Sequence, residues 1–224
     1  MDEKVSVIIP TYNEAGNIKK LITEIHKNRR DAEIIVVDDN SPDGTAEIAK
    51  SIPHVKVLVR KNQRGLGSAV IGGFRIASGD IFCVMDADLS HPPELIPKLR
   101  KALENADFAL ASRYVKGGGS ENWPLLRKII SKAATLLARG VTSASDPMSG
   151  YFMFRKNIIQ GVELQPEGFK IGLEILVKGK QDRIAEVPYT FRDRFAGKSK
   201  LGIRTNLQYL HHLIKLYRYK YGKK

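Results

Sequence analysis

Asp86-Ala87-Asp88-Leu89-Ser90-His91 follows the apolar run Ile81-Phe82-Cys83-Val84, so two carboxylates stand one residue apart where a buried strand ends. The chain must turn there if both are to reach one ligand. Pro92-Pro93 predicts that no helix follows at once. A hard divalent cation such as Mg²⁺ or Mn²⁺ takes oxygen ligands, often only one or two carboxylates, and completes its shell with substrate phosphates. Asp86 and Asp88 fit that need. Taken alone, the same residues equally describe a solvated turn that caps the next helix, and their companions must decide.

Those companions lie at the ends of other apolar runs. Residues 5–9 are apolar apart from Ser6 and lead into Pro10-Thr11-Tyr12-Asn13-Glu14. Residues 33–37 close on Asp38-Asp39-Asn40-Ser41-Pro42-Asp43-Gly44-Thr45, and residues 55–59 form a third run. Helical spacing separates them: Ile18, Leu21, Ile22 and Ile25 share a face, residues 46–51 fit a short helix, and an Ala/Ile-rich helix runs from Gly65-Leu66-Gly67 to Ala77. Strands that are nearly all apolar and alternate with helices predict βαβ units and a parallel sheet covered on both faces. Ligands bind beyond the carboxyl ends of such strands. Three polar or acidic clusters, at 10–14, 38–39 and 86–88, therefore converge on one edge.

A dinucleotide site does not fit, because the first strand leads into Pro-Thr-Tyr-Asn-Glu rather than a glycine-rich phosphate turn. Gly65-Leu66-Gly67 reads instead as a helix start with room for close packing. No phosphate loop ending in Gly-Lys-Ser/Thr is present.

The second half changes character. Residues 107–111 predict a strand leading to Ser112-Arg113-Tyr114, and Gly117-Gly118-Gly119 a flexible loop and candidate lid hinge. Residues 123–137 predict a helix carrying Arg127. Asp146-Pro147-Met148-Ser149-Gly150 is a turn before Tyr151-Phe152-Met153-Phe154, residues 168–177 predict a helix, and residues 184–191 an edge strand interrupted by Pro188. Arg192 to Leu201 form a basic loop. Ile203, Leu207, Leu210, Ile214, Tyr217 and Tyr221 then fall on one helical face, widened by Leu213.

The 224 residues suffice for one domain, or one domain plus an extension. A single cysteine excludes an intramolecular disulfide and fits a reducing compartment. The 37 Lys and Arg against 24 Asp and Glu leave a net charge of +13, which suits phosphate-bearing partners or an anionic membrane surface. Residues 192–224 hold ten Lys or Arg and one acid, Asp193, so an amphipathic basic helix follows the globular part and suggests a membrane surface. The competing reading is a helix packed on the domain with a solvated basic face. Neither a signal peptide nor an apolar run of transmembrane length is visible.

With Pro10-Thr11-Tyr12-Asn13-Glu14, Asp38-Asp39, Ser41-Pro42-Asp43-Gly44-Thr45, Asp86-Ala87-Asp88-Leu89-Ser90-His91 and Gly197-Lys198-Ser199-Lys200-Leu201 in this order, the chain resembles the family 2 glycosyltransferases, and more narrowly the dolichol-phosphate mannose synthases. The likeness runs from about Val5 to Leu201. It implies an α/β GT-A fold with a mostly parallel central sheet flanked by helices, at 1–202, followed by the amphipathic helix at 203–224. It implies a nucleotide-sugar donor, a polyprenyl-phosphate acceptor and a divalent metal, Mg or Mn. By position, Pro10, Tyr12, Glu14, Val37 and Asp39 would line the base and ribose pocket. Asp86, Ala87 and Asp88 would sit at the diphosphate, both Asp facing the metal. Arg113, Arg194 and Lys200 would face phosphates, and Arg113 and Arg127 the acceptor phosphate. Ser90 stands where many members carry Gln, a further metal-shell position. Many members continue into transmembrane helices; ending after one amphipathic helix resembles catalytic subunits recruited by small membrane proteins, working on the cytoplasmic face of a membrane.

The chemistry agrees with the residues. A departing nucleoside diphosphate needs cationic side chains and a metal. A lipid phosphate is ionised near neutral pH, with a pKa of about 6, so no general base is required. In-line attack inverts the anomeric centre. The expected reaction is mannosyl transfer from GDP-mannose to polyprenyl (dolichyl) phosphate. The alternatives are glucosyl transfer from UDP-glucose, a sugar nucleotidyltransferase, which usually carries an N-terminal glycine-rich loop missing here, and a nucleic-acid-binding module, for which no recognition motif accompanies the charge. No nucleic-acid partner is therefore expected.

Overall fold

The computed structural model describes residues 3–121, 123–165, 170–192 and 203–222, the side chains of 203–206 excepted. Two phases of apolar residues build the core of the first half. Val7 and Ile9 of β1 (Val5–Thr11) point to one side, where α1 (Ala15–Asn28) supplies Ile18, Leu21, Ile22 and Ile25. Ile8 points to the other, against Ala69, Val70 and Phe74 of α3 (Leu66–Ile76). The strands are buried on both faces, which is why they read as nearly continuous apolar runs. α3 lies so close to β1 that a Cβ on Gly73 would stand 2.5 Å from the Ile8 side chain.

β1 pairs in parallel with β2 (Glu33–Asp38) and β4 (Ile81–Val84), and β2 with β3 (Val55–Val59). α2 (Thr45–Lys50) connects β2 to β3. β5 (Phe108–Ser112) pairs in parallel with β8 (Ile184–Pro188). Between β4 and β5 lies β7 (Phe152–Arg155), antiparallel to both, so the seven-stranded order is β3-β2-β1-β4-β7-β5-β8. β7 runs opposite to the other six. Its first residue, Phe152, stands opposite Val84 and Leu110, so the turn at 146–151 reaches the carboxyl edge of its neighbours.

Two expectations are corrected. Pro92-Pro93 does not hold off helical structure: a 3-10 turn spans Pro93–Leu95 and α4 occupies Ile96–Ala102. A proline in a first turn lacks only an N–H that has no intrahelical acceptor there. Gly117-Gly118-Gly119 is no open hinge either. β6 (Gly119–Ser120) pairs with β9 (Thr190–Phe191), and a Cβ on Gly118 would meet the Ser112 carbonyl at 2.5 Å. The glycine there permits close backbone approach.

α5 (Leu125–Arg139), α6 (Ile171–Lys178) and α7 (Ile203–Tyr221) meet in a third apolar cluster of Ala138, Val141, Leu173, Tyr209, Leu213 and Leu216. The α7 side chains also take up carbonyls at the end of α5: Tyr217 Oη donates to Leu137 O at 2.8 Å, Tyr221 Oη to Gly140 O at 2.6 Å and Lys220 Nζ to Val141 O at 3.0 Å. The packed face of α7 is thus the one bearing Tyr209, Leu213 and Leu216. Leu207, Leu210 and Ile214, assigned from spacing to the apolar face, are exposed.

Candidate active site at the carboxyl edge of the sheet

The loop after β1 is held by the loop after β2. The N–H groups of Asn13, Glu14 and Ala15 donate to Ser41 Oγ (3.0 Å), Thr45 Oγ1 (2.9 Å) and Asp43 Oδ2 (3.0 Å). These hydrogen bonds explain why the two polar segments occur together. Asp43 also accepts from Thr45, and although burial opposes its charge, these donors hold its carboxyl below the usual range. Asp38 is fully buried and taken up by Thr11 and Ser41. Asp39 instead receives Arg60 from the end of β3. Tyr12 lies under the Arg64 guanidinium, 4.3 Å from the ring centroid. Val37 and Ala87 have their side chains in the two apolar clusters, so only their backbone is available at the edge.

Asp86 to His91 form a tight loop after β4. Asp88 and Ser90 are buried, and Asp88 Oδ1 accepts from Ser90 Oγ (2.5 Å) and Ser90 N (3.1 Å). Asp86 is partly exposed. Leu89 between them has φ +62°, a left-handed conformation costly for a branched side chain, and such strain concentrates at functional loops. His91 Nδ1 accepts the Asp86 N–H at 2.9 Å, which leaves the ring proton on Nε2, 3.9 Å from Asp86 Oδ2. Burial lowers its pKa more than Asp86 and Asp88 raise it, so the ring is neutral. Tyr151 stacks on it, centroids 5.0 Å apart.

Arg113, beyond β5, is gripped by the fully buried Asp146: Nε to Oδ2 at 2.7 Å, Nη2 to Oδ1 at 2.7 Å, and backbone N to Oδ2 at 2.9 Å. Burial opposes the charge, but Asp146 outweighs it and holds the guanidinium protonated. Lys170 is partly buried beside this pair and donates to Met148 O at 2.7 Å. Burial, then the Arg113 charge, pull its pKa to about 8 against the opposing influence of Asp86 and Asp146. Trp123 has two cations at its ring, Arg127 at 4.1 Å and Arg113 at 5.2 Å from the centroid. A cavity of about 250 Å³ opens there, lined by Arg113, Tyr114, Trp123, Lys128 and Lys132 among others.

The edge therefore brings together Pro10, Tyr12, Glu14 and Asp39 at one end and Arg113 with Arg127 at the other, with Asp86, Asp88 and Ser90 in the loop after β4 between them. Arg194 and Lys200 lie outside the described residues. Sequence reasoning passed over Asp146, His91, Lys170, Trp123 and Arg60. Two of them had a signal: His91 closes the Asp86–His91 motif, and Asp146 is an acid in a Pro/Gly turn ahead of a fully apolar run. Among the described residues no three His, Cys, Asp or Glu form a self-sufficient metal cluster. Two adjacent carboxylates and a hydroxyl suit instead a hard cation that shares its shell with phosphates.

The match to the family model for glycosyl transferase family 2 spans residues 6–162. A dolichol-phosphate mannosyltransferase of Pyrococcus furiosus is 52% identical over 223 residues, 95% of this chain and 63% of the relative, so the chain spans under two thirds of that protein's length. The Saccharomyces cerevisiae protein of that name is 42% identical over 99% of this chain and 90% of its own. Among solved structures, glucosyl-3-phosphoglycerate synthase from Mycobacterium tuberculosis superposes with a TM-score of 0.69 at 21% identity, covering 99% of this chain and 81% of that one. This likeness establishes the GT-A fold. The sheet edge, the family match over residues 6–162 and relatives above 40% identity across nearly the whole chain lead to one conclusion: the chain belongs to glycosyl transferase family 2.

Proposed function

We propose that the chain transfers mannose from GDP-mannose to a polyprenyl (dolichyl) phosphate with inversion, giving a β-linked lipid phosphate sugar. The names of its relatives support the acceptor and sugar. The observation that carries the reading is an edge on which paired carboxylates lie between a polar end and a cationic, aromatic end beside exposed apolar helices. Tyr12, Glu14 and Asp39, with the backbone at Pro10 and Val37, hold the nucleoside. Asp86, Asp88 and Ser90 hold Mg²⁺ or Mn²⁺, and a related synthase was solved with Mn²⁺ and uridine diphosphate. A divalent ion there supplies charge neutralisation at the donor diphosphate.

Arg113 and Arg127 receive the acceptor phosphate, whose ionised oxygen attacks without a general base. Asp146 keeps Arg113 charged and aimed, and both guanidinium groups lie against Trp123. Arg194 and Lys200, outside the described residues, are assigned to the diphosphate by the resemblance alone. Lys200→Ala should lower turnover more than donor binding, since leaving-group charge grows toward the transition state; equal losses would point to ground-state binding.

Residues 1–202 are assigned to the catalytic unit, and α7 (Ile203–Tyr221) packs one face on α5 and α6 and turns the other outward. No helix among the described residues is long and apolar enough to cross a membrane. α5 nonetheless exposes Leu125 (74%), Leu126 (68%), Ile129 and Ile130, and α7 packed beside it exposes Leu207, Leu210 and Ile214. Apolar side chains so arranged, among Lys and Arg, suit the cytoplasmic face of an anionic membrane, alone or with a small membrane-anchored subunit. Competition of unlabelled GDP-mannose and UDP-glucose against labelled donor, with polyprenyl phosphate in vesicles, tests the reading. Preferential competition by UDP-glucose would replace mannose with glucose, and no transfer to lipid with either donor would overturn it.

A further inference from the structure

The carboxylate of Asp39 is already largely occupied by the protein. Oδ1 accepts two N–H groups of Arg60, Nε at 2.7 Å and Nη2 at 2.5 Å, and Oδ2 accepts the Gly65 N–H at 2.9 Å. Arg60 is itself clamped: Nη2 also donates to Gly65 O at 3.1 Å, Nη1 to Ser68 Oγ at 2.9 Å, and its backbone N to Asp38 O at 2.8 Å. Both residues are buried. The network joins the ends of β2 and β3 to the start of α3, where Gly65 takes φ +147°.

A buried ion pair adds little net stability over apolar packing, so stability alone is a weak reason for this arrangement. Its geometry does something that apolar packing cannot. An ionised carboxylate has about four acceptor positions. Three are filled by Arg60 Nε, Arg60 Nη2 and Gly65 N, leaving one, on Oδ2.

We infer that Arg60 is a positioning residue for nucleotide recognition: it fixes the Asp39 carboxylate so that it accepts a single further hydrogen bond, from one N–H or O–H of the donor nucleoside. The inference rests on the nucleotide reading above and deepens it. Asp39 then selects for one donor group of the nucleoside and cannot grip two ribose hydroxyls at once. The open position on a carboxylate oxygen is an acceptor, so the group it selects must be a hydrogen-bond donor. Lysine at position 60 would keep the charge but not the planar fork, and would release part of Oδ1.

Calorimetry on the full chain with Mg²⁺ decides it. The probes are guanosine and uridine diphosphate and, for the tighter of the two, its 2′-deoxy, 3′-deoxy and base N–H-deleted analogues. Asp39→Ala should weaken the parent nucleotide about tenfold or more. In the native protein only one analogue should lose affinity by an amount that vanishes in Asp39→Ala. Arg60→Lys should raise donor KM about tenfold while kcat at saturating donor stays within about twofold, and should spread the Asp39-dependent loss to a second analogue. Two analogues with Asp39-dependent losses in the native protein overturn the inference, and so does a native analogue profile retained in Arg60→Lys. If Arg60→Lys does not fold, the native profile decides alone. Unchanged affinity in Asp39→Ala defeats the nucleotide assignment itself. Weakening in Asp39→Ala without any change in Arg60→Lys defeats only the role of Arg60.

Discussion

The two ends of the sheet edge satisfy their polar groups in opposite ways. At the β1–β2–β3 end, each loop is saturated by another: backbone N–H groups of 13–15 meet side chains of 41–45, and Asp39 meets Arg60. At the β5–β8 end, cations lie against rings, Arg113 and Arg127 on Trp123, and Leu and Ile side chains face solvent on α5. The first end is prepared for a polar ligand arriving from water. The second suits a ligand that is half charge and half hydrocarbon. Fixed donors raise affinity by lowering the cost of ordering on binding, whereas an apolar surface needs an apolar phase to complete it.

The largest expected effect lies between the ends. Asp88→Ala should lower turnover on the order of 10³-fold with the fold intact by circular dichroism, and chelation should do the same to the native protein. Full activity in excess EDTA would remove the metal from the comparison. Next, Asp146→Ala should reduce unfolding free energy by about 3–5 kcal/mol, because Arg113 would be left buried and charged. A denaturant midpoint unchanged in Asp146→Ala would show that the second end is not held by this pair.

The opposite rim of the same strands, β1 to β3, should be acid-sensitive. Glu33, at the opposite rim of β2, accepts from Ser6, Ser78 and Lys56. Burial raises its pKa, but these partners outweigh burial and bring it to about 2. A depressed folded-state pKa stabilises above the unfolded value and is lost as pH falls through the folded one. The contribution, on the order of 2 kcal/mol given the half-exposed Lys56, should therefore disappear between about pH 5 and pH 2. Glu33→Gln should flatten that segment of the stability curve, and a curve identical to the native one would contradict the assignment. The smallest effect on stability sharpens the contrast most. Leu126→Asp on α5 should shift unfolding by no more than about 0.5 kcal/mol, yet weaken co-sedimentation with anionic vesicles. Sedimentation equal to that of the native chain would remove α5 from the membrane reading.

What the sequence disclosed follows the same division. β1 to β4 and their helices were legible because a parallel sheet buried on both faces writes itself as apolar runs between amphipathic ones. β1 extends one residue past Pro10, with Thr11 opposite Asp38, since a strand end tolerates a missing N–H. The second half was harder to read. Nothing local in Tyr151-Phe152-Met153-Phe154 says that this strand inserts, reversed, between β4 and β5. Arg113 and Asp146 are 33 residues apart, and only the insertion of β7 brings them together. On α7, spacing identified an apolar stripe but could not say that Tyr209, Leu213 and Leu216, rather than Leu207, Leu210 and Ile214, take the packed side. The Asp-x-Asp pair was legible as two carboxylates at a strand end; its support by Ser90 and His91 comes with the strained turn at Leu89.

The reversed insertion of β7 also sets an order of events during synthesis. β4 is wholly apolar and pairs with β1 on one side only until β7 exists, and 67 residues separate Val84 from Phe152. At about 5–20 residues per second, a ribosome takes roughly 3–13 s to make them. Throughout that interval the emerging protein carries a bare strand edge of the kind that recruits other chains. Nascent chains arrested with about 140 residues outside the exit tunnel should crosslink to a chaperone that binds extended apolar segments, and chains arrested with about 180 should not. Equal crosslinking at both lengths would mean that some other segment shields β4 first.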